Sequence, residues 1–203
     1  MFLRKPLATK INEFWKWFVA NCDRFQMSDA LDEQLCDELG ERIQKIDRNL
    51  TFEITPFGEG PYELVVSADG IKKAFAIVTA VVAAAPTIAN WKIIAFRQRS
   101  PLDSIELSFN GVTLSPTTVQ YALIPDGNSL DLLVVTPDTD DEMRDQTTGA
   151  AFILLDAALG EYDVATYLRT IEFEPQSAID PSVPLKPLLE LPLEFDLTRK
   201  NTA

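Results

Sequence analysis

The predicted fold is decided by the stretch from Thr51 to Arg99, which reads TFEITPFGEGPYELVVSADGIKKAFAIVTAVVAAAPTIANWKIIAFRQR. Three segments rich in alternating, β-branched or aromatic residues, Thr51–Pro56, Tyr62–Val66 and Trp91–Phe96, predict strands. Between the second and third, Ile71–Ala85 is rich in Ala and Val and contains no Gly or Pro, which predicts a helix. That helix is apolar on nearly every side, so we expect it to be buried. The stretch therefore predicts a ββαβ unit.

A weaker copy of this pattern follows in residues 120–175. Gln120–Pro125 and Asp131–Val134 correspond to the first two strands, Ala150–Ala158 to the apolar helix and Ile171–Phe173 to the last strand. We interpret the two stretches as a duplicated ββαβ unit whose second copy has a longer loop before its helix. The alternative is a chance similarity between two ordinary segments of helix and strand.

The expected architecture is one globular α+β domain over residues 1–203. We expect the duplicated units to form a largely antiparallel sheet with helices on one side. At 203 residues and 46% apolar composition, the chain is long enough to bury a full core. The expected segments are N-terminal helices at 10–48, the first unit at 50–99, a hairpin connector with its turn at Asn110-Gly111 at 100–118, the second unit at 119–175 and a tail at 176–203.

Two amphipathic helices are predicted before the first unit. The first is capped by Thr9 or Asn12 and runs to about Phe25, and the second is capped by Ser28 and runs to about Arg48. The residues expected to face the core are Ile11, Phe14, Trp15, Phe18, Cys22 and Phe25 in the first helix, and Leu31, Leu35, Leu39, Ile43 and Ile46 in the second.

The string Phe14-Trp-Lys-Trp-Phe18 supplies two candidate binding residues, Trp15 and Trp17. Their rings could form a platform for a partner or a ligand. The alternative, which we favour, is that these aromatic side chains cover the sheet, because large rings dominate burial in cores.

Arg97 and Arg99 are the other candidate binding residues. Strand alternation places both on the same face as Trp91, at the end of the third strand. Two guanidinium groups there could bind a carboxylate or a phosphate. The alternative is that they pair with nearby acids such as Glu106.

The tail that begins at Pro175 contains five prolines, which disfavour regular structure. It also contains six leucines, which are too much apolar surface for a disordered segment. We therefore expect an extended tail that buries its leucines over the domain, with Phe195 and Leu197 alternating as in an edge strand.

Charge and composition exclude several classes of function. The net charge is −13, from 18 basic and 31 acidic residues, whereas a nucleic-acid partner requires a basic face. Histidine is absent, which excludes histidine-based catalysis and most zinc sites. No nucleotide-binding or hydrolase motif occurs, so we predict no cofactor. Cys22 and Cys36 are expected to be free thiols in a reducing compartment.

The segment Pro137–Asp145 is the most acidic run of the chain, with carboxylates at positions 138, 140, 141, 142 and 145. It lacks the alternating ligands, the glycine and the distal glutamate of a calcium loop. We therefore expect solvated acids at a helix N-terminus and no metal site.

The sequence also predicts a cytoplasmic protein without a membrane partner. The N-terminal residues lack the apolar core of a signal peptide. The longest apolar run, Ala74–Pro86, is shorter than the about 20 residues that a membrane span needs.

Three strings resemble a family of bacterial proteins of unknown function: Phe14-Trp-Lys-Trp-Phe18, Trp91-Lys-Ile-Ile-Ala-Phe-Arg97 and Pro187-Leu-Leu-Glu-Leu-Pro192. The resemblance spans most of the chain. It implies a bacterial origin and an α+β fold, and it transfers no activity and no catalytic residue.

Together these observations favour a binding or regulatory module over an enzyme. Its sharper form is an inhibitor whose acidic surface binds a basic protein partner. The alternative is a hydrolase-type enzyme using carboxylates near strand ends, with Glu53, Glu63, Asp69 and Asp131 as candidates. A third possibility is an assembly protein that uses its tail or an exposed strand edge.

Overall fold

The structure, a computed structural model, describes residues 5–26, 32–55, 61–103, 105–127 and 129–202, and it has the predicted α+β class. The chain forms two compact units, Met1–Arg97 and Gln98–Ala203. The expectation of a single domain stays a prediction. Among the described residues, no helix combines the length and the apolar content needed to cross a membrane.

The first helix, α1 (Leu7–Asn21), begins earlier than predicted. The carbonyl of Pro6 accepts the first hydrogen bonds of the helix, so the expected caps Thr9 and Asn12 lie inside it. A 3₁₀ turn over Cys22–Gln26 continues the chain. The predicted inner side is confirmed, because the buried residues of this segment are Ile11, Phe14, Trp15, Phe18, Cys22 and Phe25.

The second helix, α2 (Glu33–Ile46), packs against α1. Its N-terminus is capped by Asp32, whose side chain accepts a hydrogen bond from the Leu35 amide at 3.2 Å. The expected cap Ser28 and the expected core residue Leu31 lie outside the described residues. The inner stripe of α2 is otherwise as predicted, with Leu35, Leu39, Ile43 and Ile46 buried.

The sheet of the first unit has three strands, β1 (Thr51–Thr55), β2 (Tyr62–Ser67) and β3 (Trp91–Ala95), in the order β1-β2-β3. β1 and β2 are antiparallel, whereas β2 and β3 are parallel and are connected through α3 (Phe75–Ala83). A parallel pair needs such a crossover, so the helix between them follows from the pairing. Residues 56–60, between β1 and β2, lie outside the described residues. The sheet residues that pack into the core of this unit are Phe52, Ile54, Tyr62, Leu64, Val66, Trp91, Ile93 and Ala95.

α3 is shorter and more exposed than the helix expected over Ile71–Ala85. A 3₁₀ turn over Lys72–Ala74 precedes it, and Ile71 is 37% exposed. Within α3, Val78 and Val81 are the buried residues. The alanines on the outer side tolerate water because a methyl group exposes little apolar area.

The four strands of the main sheet in the second unit are β6 (Gln120–Asp126), β7 (Ser129–Thr136), β8 (Leu168–Pro175) and β9 (Lys186–Pro187). Their order is β8-β7-β6-β9. β6 and β7 are antiparallel and β7 and β8 are parallel, which repeats the directions of β1, β2 and β3. Both sheets are therefore mixed, and this corrects the expectation of one largely antiparallel sheet.

Two helices connect β7 to β8, α4 (Arg144–Leu159) and α5 (Glu161–Tyr167). A short hairpin, β4 (Leu107–Phe109) with β5 (Val112–Leu114), lies before β6, and its turn is the predicted Asn110-Gly111 pair. α4 passes close to the hairpin, since a Cβ on Gly149 would lie 3.2 Å from the Phe109 ring. The core of this unit lies among α4, α5, the sheet and the tail.

The tail is ordered, but its last part is a helix, α6 (Leu191–Thr202), and not the expected extended chain. Pro192 lies in the first turn of α6, where a missing N–H removes no helical hydrogen bond. Phe195 is fully buried, whereas Leu197 is 54% exposed, so the edge-strand alternation expected for them is wrong. The residues of the tail that reach the core are Leu188, Leu191 and Phe195, which have helical spacing.

Polar contacts also hold the tail on the sheet. The buried Tyr121 of β6 donates its hydroxyl hydrogen bond to Glu194, which also accepts one from Lys186 at 2.9 Å. Burial first, and the carboxylate of Glu194 second, raise the pKa of Tyr121, so its hydroxyl remains protonated. The amide of Leu188 donates to the Val119 carbonyl at 2.9 Å.

Two leucines of α6 give a matched test of this packing. Leu191 is fully buried and Leu193 is 70% exposed. We expect Leu191→Ala to lower the free energy of unfolding by about 2–5 kcal/mol, and Leu193→Ala to change it by less than about 0.5 kcal/mol. Urea denaturation measures both, and equal midpoints would show that α6 is not packed as described.

The corrected position of α3 gives a second test. Val78→Asp buries an unpaired charge and should cost about 3 kcal/mol or more, whereas Ile71→Asp stands at an exposed position and should cost about 1 kcal/mol or less. Thermal unfolding followed by circular dichroism measures both. A Val78→Asp variant that melts like the parent chain would contradict the assignment of the core.

Candidate functional site

The excess acidic charge belongs almost entirely to the second unit. Residues 1–97 carry 12 basic and 13 acidic side chains, whereas residues 98–203 carry 6 basic and 18 acidic side chains. The first unit is thus close to neutral, with a net charge of −1, and the second has a net charge of −12. The acidic surface of the protein therefore belongs to the second unit.

A cavity of about 180 Å³ opens where the parallel strands β7 and β8 end and α4 begins. This edge is the usual position of ligand sites in sheets with parallel strands, because the loops that follow the strands meet there. The residues that line the cavity are Thr136, Asp138, Thr139, Asp141, Arg144, Thr147, Thr148, Phe173, Glu174, Pro175 and Ser177. A wider, open groove of about 620 Å³ shares Asp138 and Thr139 with it and extends towards the β4–β5 hairpin.

The sequence explains why this edge forms. Thr136 ends the buried part of β7, and Pro137 cannot continue the ladder of hydrogen bonds. The chain then turns through a 3₁₀ segment at Asp141–Met143 into α4. The acids at positions 138, 140, 141, 142 and 145 are all exposed there, as predicted for the run Pro137–Asp145.

Hydrogen bonds fix the walls of the cavity. The hydroxyl groups of Thr139 and Thr147 lie 3.1 Å apart, and Thr147 donates to the Met143 carbonyl at 2.8 Å. The carboxylate of Asp138 accepts a hydrogen bond from the Ser177 amide at 2.9 Å, which lowers the pKa of Asp138. Asp138 therefore ties the loop after β7 to the turn after β8.

The chemistry of this site suits recognition of a cation. Hydroxyl and carboxylate oxygens dominate its lining, and the one cationic side chain, Arg144, is paired with Asp141 at 2.9 Å. Among the described residues, no group of three or more acidic or cysteine side chains is arranged to hold a metal ion. Oxygen-rich walls of this kind can accept hydrogen bonds from Lys, Arg or amine groups.

Arg97 pairs with carboxylates of the first unit. Its guanidinium donates to Glu53 and, at 2.6 Å, to Asp69. Partial burial lowers the pKa of Arg97, but these two carboxylates raise it by more than burial lowers it. The guanidinium therefore remains charged. β3 ends at Ala95, and Phe96 has a positive φ of 64°, so the expected strand alternation stops before Arg97.

Arg99 connects three helices of the second unit. It donates to the Leu159 carbonyl at the end of α4 at 3.0 Å, to Asp163 of α5 at 2.8 Å and to Asp196 of α6 at 2.9 and 3.0 Å. Its guanidinium carbon also lies 5.7 Å from the centre of the Phe195 ring. These contacts raise the pKa of Arg99, with the hydrogen bond to Asp196 as the main cause.

The two tryptophans have different environments. Trp15 is buried and donates its indole N–H to the Val81 carbonyl at 2.9 Å. Trp17 is half-buried, donates to Glu38 at 2.9 Å and lies 4.7 Å below the guanidinium of Arg42. The assignment of Trp15, Trp17, Arg97 and Arg99 as binding residues stays a prediction.

Six of the eleven lining residues are threonines, a serine and a proline that form no sequence motif, and the sequence predicts Asp138 and Asp141 only as solvated acids at a helix N-terminus. The available signal was the pattern Thr136-Pro137-Asp138 after a strongly apolar strand. In a ββαβ unit the last two strands can be parallel. The pattern therefore predicts a ligand site at the edge where these two strands end.

Comparisons with protein families, with curated proteins and with solved structures found no match to this chain.

The role of Arg99 can be tested by its removal. Arg99→Met should lower the free energy of unfolding by about 1–2 kcal/mol at neutral pH, the range for hydrogen bonds to charged groups after allowance for partial exposure. Because Arg99 lowers the pKa of Asp196, this contribution is present above the ordinary carboxyl pKa of about 3.9 and is lost as the pH falls through the lowered value.

Denaturation measured from pH 7 to pH 2 should therefore show that the free energies of unfolding of Arg99→Met and of the parent chain converge at acidic pH. Arg144→Met is the control, because Arg144 and its partner Asp141 are both exposed and should contribute no measurable stability. A difference between Arg99→Met and the parent chain that stays constant down to pH 2 would contradict the proposed pairing.

Proposed function

We propose that this protein is a non-catalytic binding module and that the acidic surface of its second unit binds a basic region of another protein. The observation that carries the proposal is the uneven charge, 18 acidic against 6 basic side chains in residues 98–203. Such a surface attracts a cationic partner before contact and disfavours anionic ones. An inhibitor of a basic protein is the sharper form of this function.

The position of the acids supports the proposal. The loop of Pro137–Asp145 presents five exposed carboxylates at the same edge as the cavity. Glu172 and Glu174 of β8 are exposed as well. A basic polypeptide would find several carboxylates and hydroxyl acceptors within one region of the second unit.

The alternative function, a carboxylate enzyme, has weaker support. Glu53 and Asp69 both bind Arg97, and Glu63 accepts a hydrogen bond from Lys92 at 2.7 Å. The hydrogen bonds of Arg169 lower the pKa of Asp131, which disfavours its use as a general acid. These carboxylates are arranged as ion pairs, and the absence of histidine removes the commonest base.

The proposed location of the protein is a reducing compartment such as the bacterial cytoplasm. Cys22 and Cys36 are free thiols. Burial first, and nearby acids second, raise the pKa of both thiols, which lowers their reactivity. The bacterial part rests on the resemblance described above.

We also infer that the two ββαβ segments descend from one duplicated segment. In both, the first two strands are antiparallel, the second and third are parallel, and an apolar helix lies between these last two. The second segment differs by its longer loop before α4 and by the additional helix α5.

The proposed function is tested by selecting peptides of random sequence against the intact chain. We expect the selected peptides to be enriched in Lys and Arg, to bind in the micromolar range or tighter, and to lose affinity as NaCl is raised, because salt screens charges beyond about 8 Å at physiological strength. Fluorescence anisotropy measures the affinities.

Two variants with the same change in charge locate the effect. D140N/E142Q/D145N neutralises three exposed acids of the second unit, and E33Q/D37N/E41Q neutralises three exposed acids of α2. The first variant should weaken binding and the second should leave it nearly unchanged. Selected peptides without a basic bias, or equal losses in the two variants, would refute the proposal.

A further inference from the structure

β8 is the outermost strand of the sheet in the second unit. The sheet has the order β8-β7-β6-β9, and within the described residues β8 pairs along its length with β7 alone. An outer strand presents unpaired N–H and C=O groups on its free side. Those groups can form a ladder with another extended chain.

The regular part of this edge is short and well defined. The register shifts between Leu130 and Asp131, so that Arg169 is an extra residue at the start of β8. The Arg169 side chain donates hydrogen bonds to Asp126 and Asp131, so ion pairs mark the start of the regular edge. At the other end Pro175 has no N–H to offer. The stretch Thr170–Glu174 lies between these two ends; the Thr170 amide hydrogen-bonds to the Asp131 carboxylate, and the residues after it continue the edge.

The side chains of this stretch alternate between an acidic and an apolar side. Glu172 and Glu174 are exposed, whereas Ile171 and Phe173 are half-buried on the side of α4. Phe152 of α4 lies over this apolar side, with its ring centre 5.9 Å from that of Phe173, and it is 38% exposed. The edge therefore has carboxylates on one side and an apolar surface, formed by Phe152 and Phe173, on the other.

We propose that Thr170–Glu174 binds an extended basic segment of the partner as an additional strand. In this arrangement alternate Lys or Arg side chains of the segment lie beside Glu172 and Glu174, and the apolar residues between them lie over Phe152 and Phe173. Main-chain hydrogen bonds supply affinity and the alternation supplies specificity. The inference rests on the proposed function and names its binding site.

Charge selects this occupant over a second copy of the chain. Two β8 edges placed together would bring glutamates against glutamates, and like charges on neighbouring strands are destabilising. The net charge of −12 on the unit adds to this repulsion. A partner segment that continues past Glu174 reaches the strand-end cavity, whose lining includes Pro175, Ser177 and Asp138.

The test uses a peptide in which Arg and Leu alternate, with two controls. One control has the same composition in scrambled order, and the other carries N-methyl groups on alternate backbone amides, made in both registers. Binding to the intact chain is measured by fluorescence anisotropy. We expect the alternating peptide to bind, and the scrambled peptide and at least one N-methylated register to bind about tenfold more weakly, since their main-chain pairing or side-chain alternation is lost.

Charge reversal on the protein gives the second readout. E172K/E174K should weaken binding of the alternating peptide by about tenfold or more. D103K/E106K makes the same change in charge at exposed positions before β4 and should have a much smaller effect. Both variants change exposed side chains, and the peptide controls with the unmodified chain remain decisive if either variant folds poorly.

The outcomes separate the two proposals. Equal losses in E172K/E174K and D103K/E106K, or N-methylated peptides that bind as tightly as the parent peptide in both registers, would overturn the strand-addition site while the acidic binding function stands. Failure of every basic peptide, selected or designed, would overturn both.

Discussion

The parallel pairing of β7 with β8 is the constraint on which the second unit depends. Parallel strands cannot be joined by a tight turn, so the chain must cross over through α4 and α5 before β8 begins. The crossover covers one face of the sheet and buries Leu132 and Val134 against Leu154 and Leu155 in one core. The same crossover brings the ends of β7 and β8 beside the start of α4, which creates the cavity, and it leaves β8 at the edge.

The charged side chains follow from this arrangement. Of the arginines in the second unit, Arg99 is held by the carboxylates of α5 and α6, and Arg169 by those of β6 and β7. These two arginines therefore form ion pairs with acids of their own unit, near the tail and the sheet. The loop Pro137–Asp145 and the β8 edge together contain seven of the twelve exposed acids of this unit.

Part of the fold could be predicted because local patterns and tertiary contacts agree. The apolar stripe of α1, the Asn110-Gly111 turn and the strand–helix order of both units were readable since each has a strong local signal. The five prolines of the tail predict extended chain, which is wrong for its last part because Pro192 lies in the first turn of α6, the part of a helix that tolerates proline. Strand alternation does not place Arg97, because β3 ends at Ala95 and the positive φ of Phe96 interrupts the alternation. Strand direction and strand order, which create the candidate site, depend on distant contacts and leave little trace in the sequence.

Residue-resolved hydrogen exchange of the free protein tests the central claim most directly. An edge strand paired on one side has amide protons that point alternately into the sheet and into solvent. We therefore expect uniformly slow exchange in the middle of β7, from Leu132 to Val134, and alternating slow and fast exchange from Thr170 to Glu174. Uniformly fast exchange in β8 would show that it is not paired with β7, and uniformly slow exchange would show that its outer edge is not available to a partner.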